Sequence, residues 1–476
     1  MSQAMIPNHN QATTRRQLLG QAACGFGSLA LTGLLSETAM AESSALAARQ
    51  PHFAPKAKRI IFIFMQGGPS HVDTFNYKPR LDKDNGKKIK FRVARSRKVT
   101  AERVMKSPWS FKRYGKCGQM VSELFPNIAR HVDDLCFINS MHTNGVAHGP
   151  STLFLHTGAT NLIRPSLGSW ISYGLGTENK NLPSFMTINP SQGNGGPRNY
   201  SSAFLPPVHQ GISIGKAGQP VTKSTIRHIN NDRYPAELQK KQFDLLQALN
   251  RQQAAGGPAD ETMEAAIESF ELAYRMQTAA PDLADISAER SKTLESYGIG
   301  SKATDEFGRQ CLLARRMAER GVRYIQVNYS DNGDNPAWDQ HSNLKEHAKH
   351  AKASDKPVAG LLADLKDRGL LEDTLVWWGG EFGRNPFAQN NGTGRDHNPD
   401  GFAVFLAGGG VKKGFSYGET DEFGHTAVKN KVHMHDLHAT VLHLLGMDHE
   451  KLTYRYAGRD FRPTDVYGEV VKEIIT

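Results

Sequence analysis

Six short, mostly apolar runs punctuate the chain: Arg59–Met65, Leu135–Asn139, Phe185–Ile188, Tyr324–Asn328, Thr374–Trp378 and Phe402–Leu406. An apolar run without polar alternation marks a strand covered on both faces, as strands of a parallel sheet are. Between these runs, apolar residues recur at the helical period in Val121–His131, Asp305–Arg320, Ala359–Arg368 and Asp436–Leu445. Strands that alternate with helices predict an α/β fold, a doubly wound and mostly parallel sheet flanked by helices. The chain carries no internal repeat.

Two segments break that rhythm and are expected to be insertions. Residues 78–116 carry fifteen Lys and Arg against Asp82, Asp84 and Glu102. Residues 231–297 are polar and mostly helical in pattern, with a break at Gly256-Gly257-Pro258. The whole of 59–476 is expected to form one domain, and 42–58, rich in Ala, Ser and Lys, a linker to it. Further upstream, Thr14-Arg15-Arg16-Gln17-Leu18-Leu19 precedes an apolar stretch from Ala22 to Leu35 and then Ala39-Met40-Ala41. Paired arginines, a short apolar run and a small-x-small site are the layout of a twin-arginine signal peptide over residues 1–41. The expectation is therefore export through the twin-arginine machinery, cleavage near Ala41 and a periplasmic or cell-surface location. The apolar stretch is too short to span a bilayer stably, so no integral membrane segment is expected after processing.

Composition changes this picture at three points. With 38% hydrophobic and 22% charged residues among 476, the chain is too polar for a multi-span membrane protein and ample for a packed core. A net charge of +11 makes polyanions candidate partners. Nucleic acid is not expected among them, because an exported chain without a recognisable nucleic-acid-binding motif has no reason to meet it. Cys24, Cys117, Cys136 and Cys311 form no CxxC pair, and removal of Cys24 with the signal leaves an odd number.

In an open α/β sheet, ligands bind beyond the carboxyl ends of the strands. His71 and Asp73 follow the first run, and His142 and His148 the second. Asp331, Asp334, Asp339 and His341 follow Tyr324–Asn328. Glu381 follows Thr374–Trp378, and Asp396-His397 stand in the loop that leads to Phe402. Each alone is a weak signal: His71 reads more readily as a helix cap or a loop hydrogen bond, and the others also read as caps or solvated ion pairs. Together they predict a metal or catalytic centre at one edge of the sheet. His71, Asp73, Asp339, His341, Glu381, Asp396 and His397 are the candidate ligands of a divalent metal. Mixed carboxylate and imidazole ligands suit zinc, manganese or iron, and carboxylates alone suit magnesium or calcium. His433, His435, His438 and His443, on or beside the last helix, read as mostly structural, with His435 the one to test. The chain has no GxxxxGK(S/T) loop, HExxH, GxSxG elbow or GxGxxG after a strand. Nucleotide kinases, zincin proteases and common esterases are thereby disfavoured.

The segment from His148-Gly-Pro-Ser-Thr to Thr157-Gly158 resembles the nucleophile helix of sulfatases, in which Cys-x-Pro-Ser-Arg is followed by Thr-Gly. Leu370 to Glu381 resembles the strand that ends in an Asp-His metal pair in the alkaline phosphatase/sulfatase superfamily. Asp339 with His341 resembles its Asp-x-x-x-His pair at shorter spacing, and Asp436 to Gly446 is similar to a C-terminal sulfatase helix. Residues 14 to 470 as a whole resemble a twin-arginine-exported branch of that superfamily, a family of unknown function. The marks are Met65-Gln-Gly-Gly-Pro-Ser-His71-Val-Asp73-Thr-Phe, Trp338-Asp-Gln-His341, Gly380-Glu-Phe-Gly-Arg384 and Gly394-Arg-Asp-His397.

The resemblance implies a metal-dependent hydrolase of sulfate or phosphate esters, with anionic polysaccharide among the candidate substrates. His148 takes the nucleophile's place. A histidine cannot become formylglycine, so its role is nucleophile, general acid/base or metal ligand. Glu381 and Phe382 stand where the superfamily has aspartate and histidine. Arg384 or Arg395 would stabilise the developing negative charge. The second reading is a non-catalytic exported protein that holds an anionic polymer through its basic insertion. The misplaced nucleophile favours this second reading, and the Asp and His residues at four strand ends favour the first.

Overall fold

The computed structural model describes residues 46–223, 234–255, 261–330, 336–389 and 392–476. The twin-arginine segment, the Ala39-Met40-Ala41 site, Cys24, the Gly256-Gly257-Pro258 break, Asp331 and Asp334 lie outside the described residues. The strands that matter for the site are β1 (Arg59–Met65), β2 (Lys88–Val93), β3 (Lys98–Arg103), β4 (Leu135–His142), β5 (Phe185–Ile188) and β6 (Ile212–Ile214). They continue with β7 (Tyr324–Tyr329), β8 (Thr374–Gly379), β9 (Gly383–Arg384), β10 (His397–Asn398), β11 (Phe402–Ala407) and β12 (Phe415–Tyr417). The longer helices among the described residues are α1 (His148–Thr157), α2 (Leu167–Leu175), α3 (Ala236–Ala255), α4 (Glu261–Ala284), α5 (Asp305–Glu319), α6 (His347–Asp367) and α7 (Met434–Leu444).

All six apolar runs become strands of one nine-stranded sheet, in the order β12-β4-β11-β8-β1-β7-β5-β6, with Val432–His433 paired beside β4. β1 lies parallel to β8 and to β7, with Ile61 opposite Val376 on one side and Ile325 on the other. β11 runs antiparallel to both β8 and β4. The alternate residues of β1 feed two separate cores. Ile61, Ile63 and Met65 pack with Leu312 and Met317 of α5 and Leu361 and Leu365 of α6. Ile60, Phe62 and Phe64 pack with Leu155 of α1, Trp170 of α2 and Leu437 of α7. Burial on both faces is why the run shows no polar alternation, and each such large side chain stabilises the fold by about 1.5–3 kcal/mol. The doubly wound α/β architecture is the one the strand pattern predicts.

The strand directions place the chemistry. β1, β7 and β8 are parallel, and β4, antiparallel to β11, points the same way as they do. Four strands therefore end at one edge, and β11 starts there, so the loop from β8 to β11 must run across that edge.

One predicted helix does not form. In place of a helix over Val121–His131 the chain makes a strand, Gln119–Ser122, and a 3-10 segment, Ile128–Asp134. Val121, Phe125, Ile128 and Val132 still reach the core. Pro126 sits in mid-run, where a helix would lose a hydrogen bond and about 3 kcal/mol. α6, conversely, starts twelve residues before the predicted Ala359 and carries Pro357 within it. The basic segment folds as two hairpins, β2–β3 and Phe111–Tyr114 with Gln119–Ser122. The second insertion supplies α3 and α4. From Leu46 the stretch read as a linker lies against the domain, Lys56 and Ala57 both donating to the Leu444 carbonyl. Cys117, Cys136 and Cys311 are free thiols. Among the described residues no helix is long and apolar enough to cross a membrane.

Candidate metal centre

The chain leaves β1 through Gly67, at φ +109°, where a Cβ would lie 2.7 Å from the Trp338 nitrogen. Only glycine fits there. This close approach brings the Gly67 N–H to both carboxylate oxygens of Glu381, at 3.0 and 3.1 Å. The loop after β4 leads into α1, whose first residue is His148. The loop after β7 delivers Asp339 and His341. The β8–β11 loop folds into the ribbon β9–β10, which sets His397 opposite Arg384.

Asp339 is the centre of the cluster. Its Oδ1 lies 2.9 Å from His341 Nε2 and 3.2 Å from His397 Nε2, and its Oδ2 lies 3.1 Å from His148 Nε2. The two Nε2 atoms of His341 and His397 are 2.9 Å apart. One ligand atom each from His148, Asp339, His341 and His397 lies within 4.8 Å of the others. The opposite nitrogen of each ring faces an acceptor. His148 Nδ1 is 2.6 Å from Glu381 Oε1, and His397 Nδ1 is 2.6 Å from the Val146 carbonyl. His341 Nδ1 is 2.5 Å from Gln389 Oε1 and 3.6 Å from Asp396 Oδ1.

These acceptors place the proton of each neutral imidazole on Nδ1, which leaves a lone pair at Nε2. With all three rings neutral, three lone pairs and a carboxylate converge on one point, an arrangement that calls for a cation between them. His148 Nε2 is buried without a hydrogen-bond partner despite its nearness to Asp339. Crowding acceptors in this way is unfavourable unless a cation joins them. Hydrogen bonds from Nδ1 to carboxylates and carbonyls are also what orients histidines that bind metal through Nε2. The four residues can hold a divalent ion. Three nitrogens and one carboxylate suit zinc, manganese or iron better than magnesium or calcium, which take oxygen ligands.

Electrostatics follow the same geometry. Burial pushes the Asp339 carboxyl up, but His148, His341, His397 and Arg384 outweigh it and hold the group far below the usual carboxylate range. Burial lowers His148, and the carboxylates of Asp339 and Glu381 more than reverse this, so it ends above its ordinary value. His397 ends below its ordinary value, chiefly through burial, with Arg384 and His148 adding to the effect and Asp339 opposing it. Phe382 stacks on His397 with ring centres 4.3 Å apart and lies 5.0 Å from His148, so it walls the two rings in place. The cluster opens to solvent at His341, whose side chain is 27% exposed.

Several residues expected in the centre stand elsewhere. His71 is buried, its Nε2 is 2.7 Å from the Gly424 carbonyl, and burial lowers it to about 4. It is a neutral core histidine bound to a loop, outside the four-residue cluster. Asp73 is also outside, paired with Arg395 and accepting from the Ser70 hydroxyl. Glu381 and Asp396 border the cluster as partners of His148 and His341. Arg384 and Arg395 are not available to a substrate, because both side chains are 0% exposed. Arg384 donates to Asp339 at 2.7 Å and to the carbonyls of Gly67, Gly68, Trp338 and Arg395. Arg395 donates to Asp73 at 2.7 and 3.2 Å and to the carbonyls of Asn385 and Met105. These arginines tie the loops together. Gln389, the Val146 carbonyl and the Gly67 N–H also hold the cluster and were not among the expected residues. Only Gly67 left a signal, in the Gly-Gly pair directly after a strand.

Residues 57–475 match the family described as "Protein of unknown function (DUF1501)". The chain belongs to that family. No curated protein matches it. Among solved structures, the chain is similar to the lipoteichoic acid synthase LtaP from Listeria monocytogenes, at 10% identity over 85% of this chain and 77% of that one, TM-score 0.35. It is similar to the PsFucS1 sulfatase from Pseudoalteromonas sp., at 12% identity over 84% and 69%, TM-score 0.32. A third is the alkaline phosphatase from the Antarctic bacterium TAB5, at 11% identity over 78% and 97%, TM-score 0.33.

Proposed function

We propose that this DUF1501 chain is an exported, metal-dependent hydrolase of sulfate or phosphate esters, acting as a single domain over residues 59–476. The observation that carries the reading is the convergence of the Nε2 atoms of His148, His341 and His397 on the Asp339 carboxylate at the strand ends. His148, Asp339, His341 and His397 would hold the ion. A bound ion there supplies Lewis-acid polarisation and a more acidic water. His148 Nδ1 is held by Glu381, and its Nε2 faces Asp339 in the proposed metal site, so His148 orients and binds rather than attacks. Water is then the nucleophile: it adds to phosphorus or sulfur while giving a proton to the Asp396 carboxylate, the ester bond to the alcohol oxygen breaks, and the alcohol oxygen takes that proton from Asp396. Its Oδ1 takes the His397 N–H at 2.8 Å, and its side chain, 15% exposed, stands at the open side beside His341.

The engagement of His148 also favours the second reading, a non-catalytic binder, because it leaves no side-chain nucleophile. Hydrolysis of 4-nitrophenyl phosphate and 4-nitrophenyl sulfate by metal-loaded and chelated protein separates the two. Turnover that disappears with chelator, returns with zinc or manganese and drops in Asp396→Asn supports the hydrolase. Metal-loaded protein that turns over neither ester supports the binder.

A further inference from the structure

The ribbon β2–β3 is the largest charged feature that the metal centre does not use. Its register sets Lys88 opposite Arg103, Lys90 opposite Ala101 and Arg92 opposite Val99. Side chains of a strand alternate between faces. Phe91 is buried between Ile89 and Val93 and packs with Phe387, ring centres 5.0 Å apart. The other face carries Lys88, Lys90, Arg92 and Arg103, all exposed. Along β2 these cations repeat about every 6.8 Å. Among the described residues none of the four enters an ion pair, whereas nearby Arg80 and Lys87 are both held by Asp84. Like charges directly opposite across strands, as at Lys88 and Arg103, destabilise a ribbon. A face built this way is stabilised by an external anion.

The ribbon is clamped to the loop that carries the metal centre. The Arg103 carbonyl accepts the Ala388 N–H at 2.9 Å, and the Met105 N–H donates to the Pro386 carbonyl at 3.1 Å. Val104 bridges Phe387, and Arg395 donates to the Met105 carbonyl at 3.0 Å. Ala388 adjoins Gln389, which holds His341, and Arg395 adjoins Asp396-His397. The base of the cation face thus sits next to two of the proposed ligands.

We infer that this face binds a sulfated or phosphorylated polysaccharide and leads it to the centre. The second half of that statement rests on the hydrolase reading, and the binding itself does not. A flexible glycan fits better than nucleic acid. Besides the cations, the outward face carries Val99 and Ala101 and no aromatic ring on which bases would stack.

The test titrates dextran sulfate against the full chain across about 50 to 200 mM salt. It compares two variants of equal charge loss. One combines Lys88→Gln, Lys90→Gln, Arg92→Gln and Arg103→Gln. The other combines Lys302→Gln, Lys349→Gln, Lys352→Gln and Lys472→Gln, away from the ribbon. Each cation on a polyanion releases a counterion, so the ribbon variant is expected to bind about tenfold or more weakly. Its plot of log affinity against log salt should flatten by about three. The control variant should keep both. Equal loss in the two variants, unchanged binding by the ribbon variant, or tighter binding of a DNA duplex than of dextran sulfate overturns the proposal. Because the readout needs no turnover, a chain that binds dextran sulfate but hydrolyses no ester would sink the hydrolase reading and delivery to the centre, and leave the binding face standing.

Discussion

Glu381 Oε1 lies 2.6 Å from His148 Nδ1, and the same carboxylate takes the Gly67 N–H on both oxygens. One buried glutamate thereby fixes which nitrogen of His148 points at Asp339. Glu381→Gln keeps the volume, but an amide has only one oxygen to share between the imidazole and the glycine N–H. Metal affinity is expected to fall about 10–100-fold, the usual effect of losing an outer hydrogen bond to a ligating histidine. Competition with a metal indicator measures it. Unchanged affinity would show that Glu381 does not orient His148.

Arg395 and Asp73 form an ion pair in which neither side chain is exposed. Burial raises Asp73, and Arg395 more than reverses this, leaving the carboxyl below its ordinary value. Arg395→Met strands a buried carboxylate and should cost about 3–5 kcal/mol of stability, read from the urea midpoint, while the folded variant still binds metal. Full stability with lost ester turnover would instead restore Arg395 to the chemistry.

Strand identity was legible in the sequence because two-sided burial leaves an unbroken apolar run, as in Arg59–Met65. That His148, Asp339, His341 and His397 lie close together was legible because parallel strands end at one edge, which puts the residues after them on the same side. The roles of Arg384, Arg395, His71 and Asp73 were not legible. A buried ion pair and an anion-binding arginine have the same residue types, and only burial separates them. The loop after β1 turns His71 toward the Gly424 carbonyl, a partner hundreds of residues away that no local pattern announces. Pro126 was the readable warning against the helix over Val121–His131.

Burial lowers His209 and His438 to about 3 and His156 to about 4. The unfolded chain takes up protons at these sites below about pH 6.5, and the folded chain resists until about 3–4, so stability falls as pH falls through that window. Each histidine contributes a slope of up to about 1.4 kcal/mol per pH unit. His148, shifted upward, acts in the opposite sense, but it is one group against these three and against His71, His347, His350 and His433, which burial also lowers. The urea midpoint should therefore drop between about pH 6.5 and 4, and His438→Gln should flatten that drop. A midpoint constant across the window would contradict this.

Arg15 and Arg16 precede the apolar stretch of the proposed signal peptide. Changing both to Lys is expected to leave uncleaved chain in the cytoplasm, detected by fractionation and mass. Mature chain outside the cytoplasm in that variant would remove the twin-arginine claim.

Elemental analysis of the full chain, purified without chelator and gel-filtered, shows whether His148, Asp339, His341 and His397 hold a transition metal. About one equivalent of zinc, manganese or iron per chain is expected, lost in a folded His341→Ala/His397→Ala variant. A chain that retains none of the three ions after incubation with each, or a double variant that keeps its metal, would contradict this assignment.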